Sequence, residues 1–276
     1  MRFDYTTVGH VTVDVMSDGS RRPGGSALYS ALQAARLGQR TLILTQGDPR
    51  ELEALMEPHR AELELEILPA AQTTTLSTSG AGDERAQRVL AWAGPIAENL
   101  PIDTAILHLA PVARETPRRW RGDAGFVGLT PQGLLRDWPQ QSGQIFLTLP
   151  DQRRIPASVQ AMVLSELESE SCEQLIADAT DAGAVVAITA GARPTTVRLA
   201  GGRSLLVEVP PVAHPREDIG AGDVFAAAFF VALAEGRTPE RAAQFATAAA
   251  AVRISGTGVR AIGDGAAIEA RLAAVD

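Results

Sequence analysis

The 276-residue sequence contains no lysine, so each of its 25 basic side chains is arginine. That absence removes the lysine of a phosphate-binding loop, the strand lysine of protein kinases and any Schiff-base lysine. If the chain handles phosphate, it must do so with helix N-termini, backbone N–H groups, arginine and metal. Cysteine is almost as scarce: Cys172 stands alone, which excludes an intrachain disulfide and a cysteine-cluster zinc site and fits a reducing compartment such as the cytoplasm. His10, His59, His108 and His214 are scattered without the HExxH spacing of a zinc hydrolase. The opening MRFDYTTVGH lacks the apolar core of a signal peptide. The longest strongly apolar stretch, 224–234, falls short of the roughly 20 residues that cross a bilayer, so no membrane partner is expected. Net charge is −8 with no broad basic footprint, which argues against nucleic acid. The arginine-dense stretch around Arg118, Arg119 and Arg121 reads as a solvated helix face.

What is present is an ordinary globular composition, 45% apolar and 21% charged. Strand-like and helix-like segments alternate. Strands are predicted at 3–8, 41–45, 105–109, 145–149, 161–164 and 185–189, and helices at 26–37, 168–182, 222–235 and 239–253. Gly38 suits the end of the first helix. Thr238 and Pro239 suit the N-cap and first position of the last. Such alternation points to a doubly wound, mainly parallel α/β sheet with helices on both faces. Residues 73–92 break the pattern: β-prone residues turn at Gly80-Ala81-Gly82-Asp83 and return. This reads as a hairpin carried outside the main sheet, forming a small β lid with the segment near 11–24. No repeat or linker divides the chain, so a single domain over 1–276 is expected.

The segment Glu217-Asp218-Ile219-Gly220-Ala221-Gly222-Asp223 runs directly into an apolar helix. Small residues at a helix start let an anion approach free N–H groups, and the helix dipole favours negative charge there. Asp223, in the first turn, is placed to accept a proton from a hydroxyl beside that anion. The bland reading is a glycine turn with an acidic cap. The second Gly-Ala-Gly-Asp, at 80–83, is followed by Glu84-Arg85-Ala86-Gln87-Arg88 rather than an apolar helix, and a hairpin turn accounts for it.

Gly220-Ala221-Gly222-Asp223 and its helix resemble the C-terminal signature of the ribokinase-like, or PfkB, carbohydrate kinase family. Other segments match in order: Val8-Gly9-His10-Val11-Thr12-Val13-Asp14, Pro23-Gly24-Gly25, Asp83-Glu84-Arg85, Thr189-Ala190-Gly191, residues 244–250 and Ser255-Gly256-Thr257-Gly258. The resemblance implies the ribokinase-like fold and transfer of the γ-phosphoryl group of ATP, with Mg2+, to a hydroxyl of a small-molecule alcohol. It implies Asp223 as base, with Gly220, Ala221 and Gly222 as anion hole. It places Asp14, Gly24, Gly25 and Arg85 on the substrate, and Thr189, Gly191, Ser255, Gly256 and Gly258 on the nucleotide. Glu168 is retained where the family's Asn-x-x-Glu motif serves magnesium, through water. A homodimer formed through the lid is a further expectation.

The sequence also departs from that pattern. Glu217-Asp218 replaces the usual Asp-Thr, leaving a monovalent-cation site open; Ser165 replaces an Asn, Tyr29 another Asn, and Pro194 a glycine. The expected acceptors are a sugar first, a polyol or inositol second and a nucleoside third. The run 125–133 (GFVGLTPQG) resembles a branch that includes inositol-type kinases. The competing reading is a non-catalytic sugar- or nucleotide-binding member of the same fold.

Overall fold

Short apolar runs stack into one sheet because helices on either side bury both of its faces. The fold is taken from a computed structural model and is described for residues 2–80 and 86–274. Among the described residues the main sheet has nine strands. In spatial order they are Arg203–Val207, Arg193–Leu199, Val185–Ala190, Ala161–Ser165, Ala124–Leu129, Thr104–Leu109, Phe3–Val8, Thr41–Gly47 and Glu64–Pro69. Neighbours from Val185–Ala190 to Glu64–Pro69 pair in parallel. The two strands at the opposite edge are antiparallel hairpin partners. The helices are α1 (Ser26–Arg36), α2 (Pro49–Met56), α3 (Glu166–Ser169), α4 (Glu173–Asp181), α5 (Ala221–Ala234), α6 (Pro239–Ile254) and α7 (Gly265–Ala273).

Alternation along the strands sends side chains to two cores. One core holds Tyr5, Ile43 and Ile106 with residues of α1, α5 and α6. The other holds Val8, Leu107, Leu109, Val127 and Met162 with Leu175, Ile176 and Ala179 of α4. The second face is thus covered by α4 together with chain outside the α-helices, including Leu134 and Leu135 of the 3-10 turn Pro131–Leu135. Helix α5 is buried from Val224 to Ala232, as expected of a helix that is apolar all round. It lies so close to the sheet that a Cβ at Gly128 would meet the Phe230 ring at 2.4 Å. That contact accounts for a glycine inside a central strand.

A separate four-stranded sheet forms the lid, in the order Arg21–Gly24, Thr12–Val15, Thr75–Ser79, Ala86–Ala91. Its root is a polar knot. The buried Glu115 carboxylate accepts from the N–H groups of His10, Val112 and Ala113 at 2.9, 2.8 and 2.6 Å. His10 Nδ1 in turn meets the Thr74 hydroxyl at 2.8 Å, joining the bases of two lid strands.

Several expectations are corrected. The run 145–149 does not enter the main sheet: only Phe146–Leu147 is extended, paired with Arg136–Asp137, and Leu149 is 77% exposed. Its place is taken by Ala124–Leu129. The helix expected over 168–182 is two helices, because Ser165 closes a capping box with Glu168 and the chain restarts at Cys172, the N-cap of α4. The 114–121 arginines are not on a helix. Arg119 is exposed in a loop and Arg121 in the two-residue strand Trp120–Arg121, and the N–H groups of Arg118 and Arg119 donate to Glu98. Helix α2 was not expected; its Asp48 side chain accepts from Glu51 N–H at 2.9 Å and Pro49 opens the helix. Among the described residues no helix is long and apolar enough to cross a membrane.

Candidate active site

Open parallel sheets bind ligands beyond the C-terminal ends of their strands, and Asp14, Gly25, Gly220 and Asp223 of the residues singled out above gather in one cleft. A cleft at this edge is lined by Asp14, Gly25, Ser26, Tyr29, Arg136, Gly220 and Asp223, with Gln87 and Gln132 at its sides. Its volume is about 70 Å³. A larger cavity of about 480 Å³, lined by Arg2, Gln39, Phe126 and Glu235 among others, lies at the opposite ends of the strands. Only the smaller one brings carboxylates, a guanidinium and a helix start together.

Asp14 stands on the lid strand Thr12–Val15 and is 8% exposed. Thr12 donates its hydroxyl to Asp14 Oδ1 at 2.6 Å. A Cβ at Gly24 would fall 2.1 Å from Asp14 Oδ2, so the glycine is what lets the carboxylate lie against the paired strand. Gly25 is the N-cap of α1 at φ 93°, a conformation open to glycine. A side chain there would strike the carbonyl oxygen of His10 at 2.3 Å. Burial pushes the Asp14 carboxyl above its ordinary 3.8, with the Thr12 bond and Arg136 pulling it down and Glu217 adding to the rise.

Asp223 is a first-turn residue of α5. Burial in the cleft raises its carboxyl from the ordinary 3.8 to about 6, with the Ser26 hydroxyl and Arg136 opposing the rise and Glu168 and Asp14 reinforcing it. The helix begins at Gly220, left-handed at φ 78°. A Cβ there would also sit 2.3 Å from the Tyr29 ring. Tyr29 therefore fills the space against the turn. The Ala221 N–H turns back onto the Asp218 carbonyl at 3.1 Å. The first-turn amides of Gly222 and Asp223 are then the donors that α5 itself does not use. A Cβ at Gly222 would meet nothing within 4 Å, so no internal packing demands glycine there.

Glu168 lies at the end of the strand Ala161–Ser165, where its Oε2 accepts from Ser165 N and Oγ at 2.8 and 2.9 Å. Among the described residues no cluster of three or more acidic, histidine or cysteine side chains could cage a metal. A magnesium ion fits only if carried on donor phosphates, with the other Glu168 oxygen reaching it through water. Thr189 is the next-to-last residue of the strand Val185–Ala190, its hydroxyl 3.5 Å from the Leu164 carbonyl, and Gly191 follows the strand at φ 65°. Ser255, Gly256 and Gly258 form the loop after α6, with Ser255 Oγ bonded to Ala251 O at 2.8 Å. None of these five lines the cleft. Arg85 lies outside the described residues.

Sequence reasoning missed Arg136. This guanidinium is buried, with Nη1 donating to Val112 O at 3.0 Å and Nη2 to Gln87 Oε1 at 2.8 Å. Burial lowers its pKa, while Glu168, Asp223, Glu115 and Asp14 favour the charge. It follows the short 3-10 turn Pro131–Leu135, which also carries Gln132. His108 is a packing residue: buried between Tyr5 and Thr130, at 2.9 and 3.1 Å, it is held neutral by desolvation, with its pKa lowered to about 3.

Residues 157–263 match the model of the pfkB family carbohydrate kinases. No curated protein matches the sequence. Among solved structures, the chain is similar to a pyrophosphate-dependent kinase in the ribokinase family complexed with a pyrophosphate analogue and myo-inositol, at 20% identity over 96% of this chain and 99% of that one, TM-score 0.75. It is similar to Arabidopsis thaliana ribokinase complexed with ribose and ATP, at 19% identity over 99% of both chains, TM-score 0.72. It is also similar to a Methanocaldococcus jannaschii nucleoside kinase, at 15% identity over 99% of both chains, TM-score 0.71. The pfkB carbohydrate kinase model thus matches the C-terminal part of the chain, and the ribokinase-like fold extends over its whole length.

Proposed function

We propose that the protein transfers a phosphoryl group to a ring hydroxyl of a sugar or cyclic polyol of the inositol type. The observation that carries this reading is the meeting of Asp14, Arg136 and Asp223 in one cleft at the start of α5. Asp14 and Gln132 accept or donate hydrogen bonds to acceptor hydroxyls, and Arg136 donates to them. A planar donor fork beside a carboxylate suits vicinal hydroxyls. Asp223 takes the proton of the reacting hydroxyl as its oxygen bonds to the transferred phosphorus and the bond to the donor's bridging oxygen breaks. The Gly222 and Asp223 amides face the charge on the phosphoryl oxygens. Glu168 would hold a donor-borne Mg2+ through water, and such an ion would supply charge neutralisation at the phosphates.

The donor is ATP in the first reading, with Thr189, Gly191, Ser255, Gly256 and Gly258 as its flank. Pyrophosphate is the second. It is favoured by the similarity to a pyrophosphate-dependent kinase, and by Pro194 in place of a glycine in the expected nucleotide strand-turn. The test is phosphorylated-product formation over a matrix of Mg-ATP or Mg-pyrophosphate against sugars, inositols and nucleosides. Acceptor-dependent product with a sugar or inositol is expected. Donor binding without product from any of these acceptors would overturn the reading in favour of a binding protein.

A further inference from the structure

Arg253 is fully buried in the last turn of α6, where an uncompensated charge would be costly. Four oxygens surround its guanidinium. Nη2 donates to the Ile219 carbonyl at 2.6 Å and lies 3.3 Å from Glu217 Oε2. Nη1 lies 3.4 Å from the carbonyl oxygens of Glu217 and Gly256. Nε is buried without a partner. The charge also stands over the Tyr29 ring, 5.4 Å from its centroid. Three main-chain carbonyls from two loops and one carboxylate form an oxygen cage of the kind that holds a hard cation. In this chain the cage is filled by the chain's own guanidinium, so the residues do not fit a monovalent ion.

We infer that Arg253 is a built-in cation that holds the anion-binding turn, and that the protein works without a monovalent ion. Ile219 immediately precedes Gly220, whose left-handed conformation starts α5. By gripping Ile219 and both the carbonyl and the carboxylate of Glu217, Arg253 fixes the direction in which the first-turn amides point. Glu217 extends the grip: its Oε2 accepts from Gly258 N–H at 2.5 Å, and its Oε1 lies 3.4 Å from Arg22 on a lid strand. Arg253 touches no reacting atom in this arrangement. It is a positioning residue whose charge serves the donor phosphates through the turn.

The inference rests on the phosphotransferase reading, so its test includes readouts that do not need turnover. Melting temperature, calorimetric binding of Mg-pyrophosphate and Mg-ATP, and turnover are measured for the wild type in potassium, sodium and tetramethylammonium chloride at equal ionic strength. All three are expected to be the same in each salt. A potassium-specific rise in melting temperature, donor affinity or rate would overturn the inference, and the wild type alone decides this even if variants fail to fold. In tetramethylammonium, Arg253→Met is expected to bind the donor at least about tenfold more weakly, the effect of losing hydrogen bonds to a charged group, and to regain affinity when potassium or guanidinium is added. A folded Arg253→Met that binds the donor as the wild type does would also overturn it. Failure of turnover with every acceptor, while binding stays salt-independent, would refute the proposed reaction and leave this inference standing.

Discussion

The cleft ties the ionisation of Asp223 to Arg136, and this coupling can be read from a pH profile. Asp223 titrates at about 6 rather than 3.8, a difference worth about 3 kcal/mol at 1.36 kcal/mol per pH unit. The rise is what remains after Arg136 and Ser26 have pulled the value down. Replacing the guanidinium by a neutral side chain of similar length, Arg136→Met, removes the opposing charge and leaves the Ser26 hydrogen bond. A nearby opposite charge lowers a carboxyl by about 1 to 3 pH units. Arg136 makes its hydrogen bonds to Gln87 and Val112, so the low end, about one unit, applies. As base, Asp223 must be ionised, so kcat/KM should climb through pH about 6 and then level off in the wild type. In Arg136→Met the climb should shift upward by about one unit, giving about a tenfold deficit at pH 5.5 beyond any loss on the plateau. The ionisation of the donor phosphates is common to both proteins, so the difference between the profiles reads Asp223. An unmoved acid limb, or one displaced to lower pH, would refute the electrostatic coupling.

Other consequences follow from the same geometry. Because the folded-state pKa of Asp223 lies above its ordinary value, the folded protein holds that proton more tightly. Its contribution to stability is therefore greatest at low pH and is lost as pH rises from 3.8 through about 6. Asp223→Asn should then be more stable than the wild type at pH 8, by about 1 to 3 kcal/mol, with no advantage at pH 3.5; thermal melts at both pH values check this. Gly220→Ala should cost about 1 to 3 kcal/mol from its left-handed backbone alone, more from the collision with Tyr29, and should weaken donor binding. Urea melts and calorimetry of Gly220→Ala beside Tyr29→Ala and the double variant would separate the two causes, since only the collision is relieved in the double variant. Glu115→Ala leaves three buried N–H donors unpaired and should destabilise the lid root by about 3 kcal/mol or more. Hydrogen exchange at Thr12–Val15 should quicken before that of α5.

Much of the fold was legible because its signals are local. The strand Phe3–Val8, helix α1 with Gly38 after it, and helix α6 with Thr238 and Pro239 all lie where propensity and capping place them. The same is true of Asp223: an apolar helix after Gly220-Ala221-Gly222 distinguishes it from the copy at 80–83. Other features depend on partners far along the chain. The strand Ala124–Leu129 carries two glycines that weaken a strand pattern, and the reason for Gly128 is Phe230, about a hundred residues away. The run 145–149 reads as a strand, but it packs only Ile145 and Leu147 against apolar clusters and pairs with Arg136–Asp137 outside the main sheet. Arg136 and Arg253 look like any of the 25 arginines. Only the folded chain reveals that one is buried beside two carboxylates and the other in a cage of carbonyls. The turn carrying Gln132 did give a signal, since it closes the inositol-kinase-like run 125–133.

The central claim is that Asp223 removes the acceptor's proton, and turnover of Asp223→Asn tests it most directly. With the acceptor and donor that the matrix identifies, the Asn variant should bind both near wild-type affinity while its rate falls by about 10²- to 10⁴-fold. A variant that binds both ligands and turns over at the wild-type rate would contradict the account.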